Sequence, residues 1–258
     1  LLEALGCEVI PRGEVPNGAF EHPPEPLADN LISICDVVRQ CQADVGFCQD
    51  PDADRLAVID GSGRYIGEEY TLALCLNHRL KTRKGPVVTN CASSRMNQDI
   101  AQKYGVPFFR SAVGEANVVD AMLAHDAVFG GEGNGGPIDP RVVFVRDSFV
   151  GMACILDAMA SEGRSVAELV AALPRYAIVK TKQEFPLEKL EAAYQAVVRQ
   201  FRDARSDRLD GLRLEWPDRW LLIRPSNTEP IVRIIAEAPH EEEAKQLCES
   251  VASVLKNL

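Results

Sequence analysis

Residues 86–129 have the sequence PVVTNCASSRMNQDIAQKYGVPFFRSAVGEANVVDAMLAHDAVF. Short apolar runs alternate along this stretch with runs whose apolar residues recur every three to four positions. Strands are predicted at 86–89, 105–109 and 127–129, and helices at 94–104 and 114–125. Strand–helix alternation of this kind predicts a mostly parallel sheet that helices cover on both faces.

The same alternation extends to either side of this stretch. Apolar strands are predicted at 44–48 and 56–60, and helices at 31–42, 68–79 and 148–163. The first residues, Leu1–Gly6, have the pattern of a helix end that is closed by a glycine, and Cys7–Ile10 is predicted to be a short strand. The sequence thus begins in the middle of an element without an initiator Met, and we expect it to be a fragment of a longer protein.

Beyond residue 173 the pattern changes, because strands follow one another without helices between them. An edge strand is predicted within 174–186, strands at 212–216, 220–223 and 231–237, and helices at 187–204 and 241–258. Consecutive strands of this kind imply an antiparallel α+β unit. The predicted fold class is therefore α/β, with a mixed, mostly parallel α/β sandwich followed by a C-terminal α+β domain that has an antiparallel sheet. The predicted domain boundaries are 1–62, 63–173 and 174–258.

Charge and composition limit the partners that the protein can have. The 258 residues include 28 basic and 38 acidic side chains, which gives a formal net charge of −10. This charge repels nucleic acid and anionic membranes, and no apolar run approaches the roughly 18 residues that a membrane span needs. The eight cysteines form no Cys-x-x-Cys pair, which predicts reduced thiols and a cytoplasmic protein. The sequence leaves open whether the protein is a monomer or a homodimer.

The first segment that suggests chemistry is Asp50-Pro-Asp52-Ala-Asp54-Arg55, between two apolar strands. Alternate residues of an extended loop point to the same side, so the three carboxylates face together. Their repulsion is relieved by solvent in an ordinary acidic turn, or by a hard cation such as Mg²⁺. We expect a metal site, because the loop lies between buried strands. Arg55 is placed to hold a phosphate beside the metal, and an ordinary ion pair with an aspartate is the alternative.

The second segment is Gly130-Gly-Glu132-Gly-Asn134-Gly-Gly136. It contains the letters of a dinucleotide-binding fingerprint, but that fingerprint must open a helix, and Pro137 and Pro140 follow here instead. Glu accepts hydrogen bonds from sugar hydroxyls, Asn donates and accepts, and glycines let the backbone come close. The pattern therefore favours hydroxyl recognition by Glu132 and Asn134, and a flexible hairpin-like connection is the alternative.

The third segment is Arg224-Pro-Ser226-Asn227-Thr228-Glu229-Pro230, between two predicted strands. An arginine, two hydroxyls, an amide and backbone N–H groups in one turn can grip a phosphate, and Arg233 can add to them. The alternative is a turn that is capped by its own side chains. Arg110 follows another strand, at the edge where open α/β sheets bind ligands, so we expect it to line the same cleft.

In this order, the three loops resemble those of the α-D-phosphohexomutase family, which includes phosphoglucomutases, phosphomannomutases and phosphoglucosamine mutases. The resemblance covers essentially the whole chain. It implies an enzyme that interconverts hexose 1-phosphate and hexose 6-phosphate through a phosphoserine and a bisphosphate intermediate. It also implies residue roles. Mg²⁺ would be held by Asp50, Asp52 and Asp54, the catalytic groups would be Arg55 and Arg110, and the substrate would be bound by Glu132, Asn134, Arg224, Ser226, Asn227, Thr228 and Arg233.

The sequence departs from the family pattern in three places. No stretch like Thr-Ala-Ser-His-Asn-Pro, which holds the nucleophile in the family, occurs in these residues. We therefore expect the N-terminal serine domain to be missing from this chain and the fragment alone to be inactive. Many members have Lys where Ala112 stands, so Arg110 is the substitute that we expect for general acid/base work. Many members also have His where Gly136 stands, and this form looks most like the phosphoglucosamine mutase branch.

Three other functions stay open at this point. The protein could prefer glucose or mannose phosphates, as phosphoglucomutases and phosphomannomutases do. It could be a non-catalytic protein that binds sugar phosphates, or a metal-dependent sugar phosphatase that uses only the aspartate loop.

Overall fold

A computed structural model describes residues 1–15, 17–18, 20, 23–226 and 230–258. These residues form two compact units, the first from Leu1–Gly85 with Val128–Leu173 and the second from Pro86–Ala127 with Pro174–Leu258. The helices are α1 (Ile32–Cys41), α2 (Glu68–Thr82), α3 (Met96–Lys103), α4 (Glu115–Ala124), α5 (Ser148–Glu162), α6 (Val166–Ala171), α7 (Leu190–Gln200) and α8 (Glu241–Lys256). The strands are β1 (Val45–Gln49), β2 (Leu56–Asp60), β3 (Val87–Asn90), β4 (Phe108–Ser111), β5 (Phe129–Glu132), β6 (Gly136–Ile138), β7 (Ala177–Glu184), β8 (Arg205–Asp207), β9 (Leu212–Glu215), β10 (Trp220–Pro225) and β11 (Ile231–Ala238). No described helix is long and apolar enough to cross a bilayer.

In the first unit, two antiparallel strand pairs are held between helices. β1 pairs with β2 in a register that sets Gln49 opposite Leu56. β5 pairs with β6, so that Glu132 lies opposite Gly136. Strand β2 is buried along its whole length, which explains the apolar run at 56–59. Helices α2 and α5 pack against each other and against these strands, so the loops after β1 and β5 belong to one packed body.

The second unit combines a parallel pair with an antiparallel sheet. β3 and β4 pair in parallel, from Val87 opposite Phe108 to Asn90 opposite Ser111. The antiparallel sheet has the strand order β7-β11-β10-β9-β8. Helices α7 and α8 provide apolar residues to its core, including Val197 and Val251, both 0% exposed. Leu221 and Ile223, alternate residues of β10, belong to this core, and each helix presents one apolar face to it.

The buried carboxylate of Glu237 joins the β3–α3 connection to this sheet. Glu237 is 0% exposed and lies on β11. It accepts hydrogen bonds from the hydroxyl of Ser94, from the backbone N–H of Arg95 at 2.9 Å and from the indole Nε1–H of Trp220. Burial raises the pKa of this carboxyl against the effect of those hydrogen bonds.

The predicted fold class is confirmed, since parallel and antiparallel pairing coexist and the C-terminal sheet is antiparallel. The edge strand predicted within 174–186 is β7. Gly6 closes a short 3-10 helix in the left-handed conformation, with φ of 85°. The strand predicted at Cys7–Ile10 is wrong, because these residues join no sheet in the described ranges. The periodicity also missed α6, β6 and β8, which are too short to show a period.

Candidate functional site

The aspartate loop is the connection between β1 and β2 in the first unit. Asp50, Asp52 and Asp54 each place one carboxylate oxygen within 4.8 Å of the others. Asp50 is buried, Asp54 is half-buried and Asp52 is exposed. Three acidic groups at this separation could hold a metal ion, and one of them is open to the solvent from which the ion would come.

A strained residue at the centre of the loop is anchored by helix α5. Ala53 has a φ of 58°, in the left-handed region that alanine rarely adopts. Its carbonyl oxygen accepts hydrogen bonds from the hydroxyl of Ser148 at 2.6 Å and from the Ser148 N–H at 3.2 Å. The same hydroxyl accepts from Nε2 of Gln49, at 2.5 Å. The N-terminus of α5 therefore fixes the turn from which Asp52 and Asp54 project.

The pKa values of Asp50 and Asp54, the buried and the half-buried aspartate, shift in opposite directions. Burial alone would raise the pKa of Asp50, but hydrogen bonds from the Nε–H and backbone N–H of Arg55, at 2.6 Å and 3.0 Å, hold it below its usual value. Burial raises the pKa of Asp54 to about 6, against the positive charge of Arg146 and assisted by the charge of Asp50. The ion pair of Arg55 with Asp50 is thus present, and a role for Arg55 in catalysis stays a prediction.

One oxygen of Asp54 supports the fit of a cation to this loop. Oδ1 of Asp54 is buried and accepts no hydrogen bond within the described ranges, although Nε of Arg55 lies 3.7 Å away, within ion-pair distance. A buried carboxylate oxygen without a donor is destabilising unless a positive charge satisfies it. The donor set consists of carboxylate oxygens alone, which is the set that hard divalent cations prefer. The residues present therefore fit a metal of this kind.

The glycine-rich segment forms the β5–β6 hairpin, whose tight packing accounts for two of its glycines. A Cβ on Gly133 would lie 2.0 Å from Oε2 of Glu69 on α2. Gly135 has a φ of 88°, and a Cβ there would lie 2.6 Å from the carbonyl oxygen of Leu56. The carbonyl of Gly135 also accepts a hydrogen bond from the N–H of Leu56, at 3.0 Å. The hairpin is thus pinned to the start of β2, immediately after the aspartate loop.

Glu132 and Asn134 project from this hairpin. Glu132 is 5% exposed and forms an ion pair with Nη1 of Arg146, at 2.9 Å. Oδ1 of Asn134 is buried and has no hydrogen-bond partner in the part of the chain that the structure describes. The hairpin therefore offers a carboxylate and an amide oxygen beside the aspartate loop.

Sequence reasoning missed Arg146. Its Nη2 contacts Oδ2 of Asp54 closely, while its Nη1 binds Glu132. One guanidinium thus connects the aspartate loop to the hairpin. The sequence does show an arginine immediately before Asp147. The side chain of Asp147 caps α5, because it accepts hydrogen bonds from the N–H groups of Phe149 and Val150.

The third predicted loop lies in the second unit, at the end of β10. Arg224 lies opposite Arg233 in the β10–β11 register, and its Nε is 3.1 Å from Oδ2 of Asp210. Ser226 is 8% exposed, and its N–H donates to the carbonyl of Ile231 at 2.9 Å. Two arginines directly opposite each other repel unless an anion lies near both. Asn227 and Thr228, also predicted to bind phosphate, lie outside the described residues.

Arg110, the predicted acid/base, lies at the end of β4 and is held between polar partners. Its Nη2 is 2.6 Å from Oε1 of Gln98 and 3.0 Å from Oε1 of Glu215. The guanidinium also lies over the ring of Phe108, 5.4 Å from its centroid. Burial lowers the pKa of Arg110, while the charge of Glu215 opposes that effect. Its part in proton transfer stays a prediction.

Comparison with protein families gives three matches in chain order. Residues 1–63 match the phosphoglucomutase/phosphomannomutase alpha/beta/alpha domain II. Residues 68–176 match the alpha/beta/alpha domain III, and residues 176–254 match the C-terminal domain of the same family.

Individual relatives agree with these matches. The chain is 37% identical over 252 residues to a phosphoglucomutase/phosphomannomutase of Thermococcus kodakarensis, covering 96% of this chain and 55% of that protein. It is 35% identical over 261 residues to a "probable phosphoglucosamine mutase" of Methanopyrus kandleri, covering 99% of this chain and 58% of that protein. The chain thus spans little more than half the length of these relatives.

Two solved structures have a similar fold. A phosphoglucomutase/phosphomannomutase family protein from Burkholderia thailandensis superposes with a TM-score of 0.83 at 24% identity, covering 99% of this chain and 56% of that one. Aspergillus fumigatus N-acetylphosphoglucosamine mutase, in complex with GlcNAc-6P and magnesium, gives a TM-score of 0.56 at 18% identity, covering 86% and 52%. At these identities the similarity concerns the fold alone. From the three consecutive family matches, the chain belongs to the phosphoglucomutase/phosphomannomutase family.

Proposed function

We propose that this chain supplies the cation-binding, hydroxyl-binding and phosphate-binding parts of a phosphohexomutase. The observation behind the proposal is the interlocked pair of loops in the first unit. There an all-carboxylate cluster and a hairpin with Glu132 and Asn134 are joined by Arg146. A hexose phosphate needs these two kinds of group, because its phosphate requires charge neutralisation and its ring requires hydroxyl recognition.

In the proposed reaction, Asp50, Asp52 and Asp54 would hold Mg²⁺, which the carboxylate donor set favours. The Aspergillus fumigatus mutase forms a complex with GlcNAc-6P and magnesium, which agrees with this choice of cation. When bound, the ion would neutralise charge on the phosphoryl group. Arg55, already oriented by Asp50, would donate hydrogen bonds to the same group.

The sugar and the second phosphate are assigned to the remaining residues. Glu132 would accept hydrogen bonds from ring hydroxyls, and Asn134 would use its buried oxygen in the same way. The phosphate that does not react would be held by Arg224, Ser226, Asn227, Thr228 and Arg233. Arg110 remains our candidate for proton transfer. The proposed domains are 1–62, 63–173 and 174–258, and the phosphoserine would lie outside residues 1–258.

Among hexose phosphates, we propose that glucosamine phosphate is the preferred substrate. The name of the Methanopyrus kandleri relative supports this choice, as does the Gly-Glu-Gly-Asn-Gly-Gly form of the hairpin. The competing substrates are glucose and mannose phosphates, since another relative is named phosphoglucomutase/phosphomannomutase.

The test is an exchange assay on the protein as its complete gene encodes it, including any residues before Leu1. Glucosamine 6-phosphate, glucose 6-phosphate and mannose 6-phosphate are each incubated with the protein, Mg²⁺ and a trace of the matching 1,6-bisphosphate, and ³¹P NMR follows the 1-phosphate. We expect conversion of all three, fastest for glucosamine 6-phosphate. Binding without conversion would favour a non-catalytic sugar-phosphate-binding protein, and release of inorganic phosphate would favour a phosphatase.

A further inference from the structure

Arg146 is the side chain that links the two loops of the candidate site. It lies between β6 and α5, and its side chain is 18% exposed. One arm of the fork contacts Oδ2 of Asp54, and the other contacts Oε2 of Glu132 at 2.9 Å. Since Asp54 belongs to the cation site and Glu132 to the hydroxyl-binding hairpin, a displacement of Arg146 would affect both at once.

The chain also leaves space for this arginine. A Cβ built on Gly136 would lie 2.5 Å from Cδ, 2.9 Å from Cγ and 3.0 Å from Cβ of Arg146. These atoms belong to the base of the side chain, which cannot move aside without moving the guanidinium. Gly136 has no positive φ that would itself require glycine. The need for glycine here therefore comes from the arginine stem.

The geometry suits arginine better than lysine. A planar guanidinium can donate to two carboxylates in fixed directions, whereas an ammonium is a single point charge on a flexible stem. The residues that follow Arg146 bind the same loop again, because Ser148 donates to the carbonyl of Ala53. The segment from Arg146 to Ser148 thus holds the aspartate loop at two points.

We propose that Arg146 is a positioning residue that couples cation binding at Asp54 to sugar binding at Glu132. The proposal rests on the proposed function, because it assigns these two carboxylates to a cation and to a hexose phosphate. Because one guanidinium contacts both carboxylates, a ligand that fixes one of them restricts the other, and the second ligand meets a site with less freedom to lose. The coupling acts in both directions, as linkage requires.

The experiment measures Mn²⁺ binding to this chain by electron paramagnetic resonance, with and without saturating glucosamine 6-phosphate. Calorimetry without metal separately verifies that the sugar phosphate binds. The variants are Arg146→Met, Arg146→Lys, Gly136→Ala and the double variant Gly136→Ala with Arg146→Met. Arg141→Met is the matched control, because Arg141 lies in the same segment but pairs with Asp139. Circular dichroism and thermal unfolding verify the fold of each variant.

The measured quantity is the ratio of the Mn²⁺ Kd without the sugar phosphate to the Kd with it. In the wild type and in Arg141→Met, we expect this ratio to be about five or more. Arg146→Met, Gly136→Ala and Arg146→Lys should each reduce this ratio well below the wild-type value. The double variant should match Arg146→Met, since the added methyl group then has no arginine stem to displace. If Arg146→Met does not fold, the ratios of Arg146→Lys and Gly136→Ala decide by the same criteria.

The outcomes separate this inference from the proposed function. Two results would overturn the coupling role alone. One is an Arg146 variant with the same ratio as the wild type, and the other is a ratio of one in the wild type although both ligands bind. If Gly136→Ala still changes the ratio when Arg146 has been replaced by Met, the added methyl group does not act by displacing the arginine stem. Failure of the wild type to bind either Mn²⁺ or glucosamine 6-phosphate would contradict the proposed function as well.

Discussion

Replacing Ser148 by alanine tests whether helix α5 holds the aspartate loop in its shape. Ser148 is 0% exposed, and its hydroxyl makes two hydrogen bonds, to the Ala53 carbonyl at 2.6 Å and from Nε2 of Gln49 at 2.5 Å. At about 1 kcal/mol each, their loss lowers the free energy of unfolding by about 2 kcal/mol. For a protein of this size, that corresponds to a fall in Tm of about 4–8 °C.

The same substitution should weaken cation binding. The left-handed conformation of Ala53 costs roughly 1–2 kcal/mol, and the hydroxyl of Ser148 helps to maintain it. Without that contact the loop relaxes, and a cation must restore its shape at a cost of about 1 kcal/mol, or about fivefold in Kd. Differential scanning calorimetry and Mn²⁺ titration measure the two effects. Ser161→Ala is the control, because Ser161 is exposed on the same helix. Equal Tm and Mn²⁺ affinity in the two variants would refute the reasoning.

Three further predictions concern stability. Asp139 is 1% exposed, and hydrogen bonds from Arg141 hold its pKa below the usual value although burial would raise it. Asp139→Asn should therefore cost about 2 kcal/mol at pH 7. Urea unfolding should show this gap narrowing as the pH falls below about 4, because the carboxyl of the unfolded chain takes up a proton first and the folded carboxyl follows at its lower pKa; a constant gap would contradict it. Glu237→Gln should destabilise by about 1–3 kcal/mol in the same assay, since one amide oxygen cannot serve three donors; an unchanged midpoint would count against this network. Gly211→Ala should lower Tm measurably, because φ is 80° and the new Cβ would lie 2.2 Å from the Ile223 carbonyl oxygen; wild-type Tm would disprove it.

The sequence made the loops of the candidate site recognisable because each is a local signature. Three aspartates at alternate positions, and Glu132 and Asn134 among glycines, are visible without any knowledge of the fold. The strand–helix alternation likewise predicted the fold class, since periodicity reports which face of an element is buried.

The features that sequence reasoning missed are contacts between residues distant along the chain. Arg146 meets Asp54 across 92 positions, and Ser148 meets Ala53 across 95. Such pairs depend on how helices and strands pack, so no spacing rule indicates them. The same holds for Gly136, whose lack of a side chain is explained only by the stem of Arg146. The strand predicted at Cys7–Ile10 was wrong because an apolar run forms a strand only beside another strand.

Titration of this chain with Mn²⁺ tests the central claim most directly, with Asp52→Asn as the comparison. Asp52 is exposed, so its replacement should leave Tm unchanged while it removes one charged ligand from the cluster. We predict one Mn²⁺ per wild-type chain and a Kd that is about tenfold or more weaker in Asp52→Asn. Absence of bound Mn²⁺ in the wild type, or equal affinity in the two proteins, would contradict the assignment of this loop to a cation.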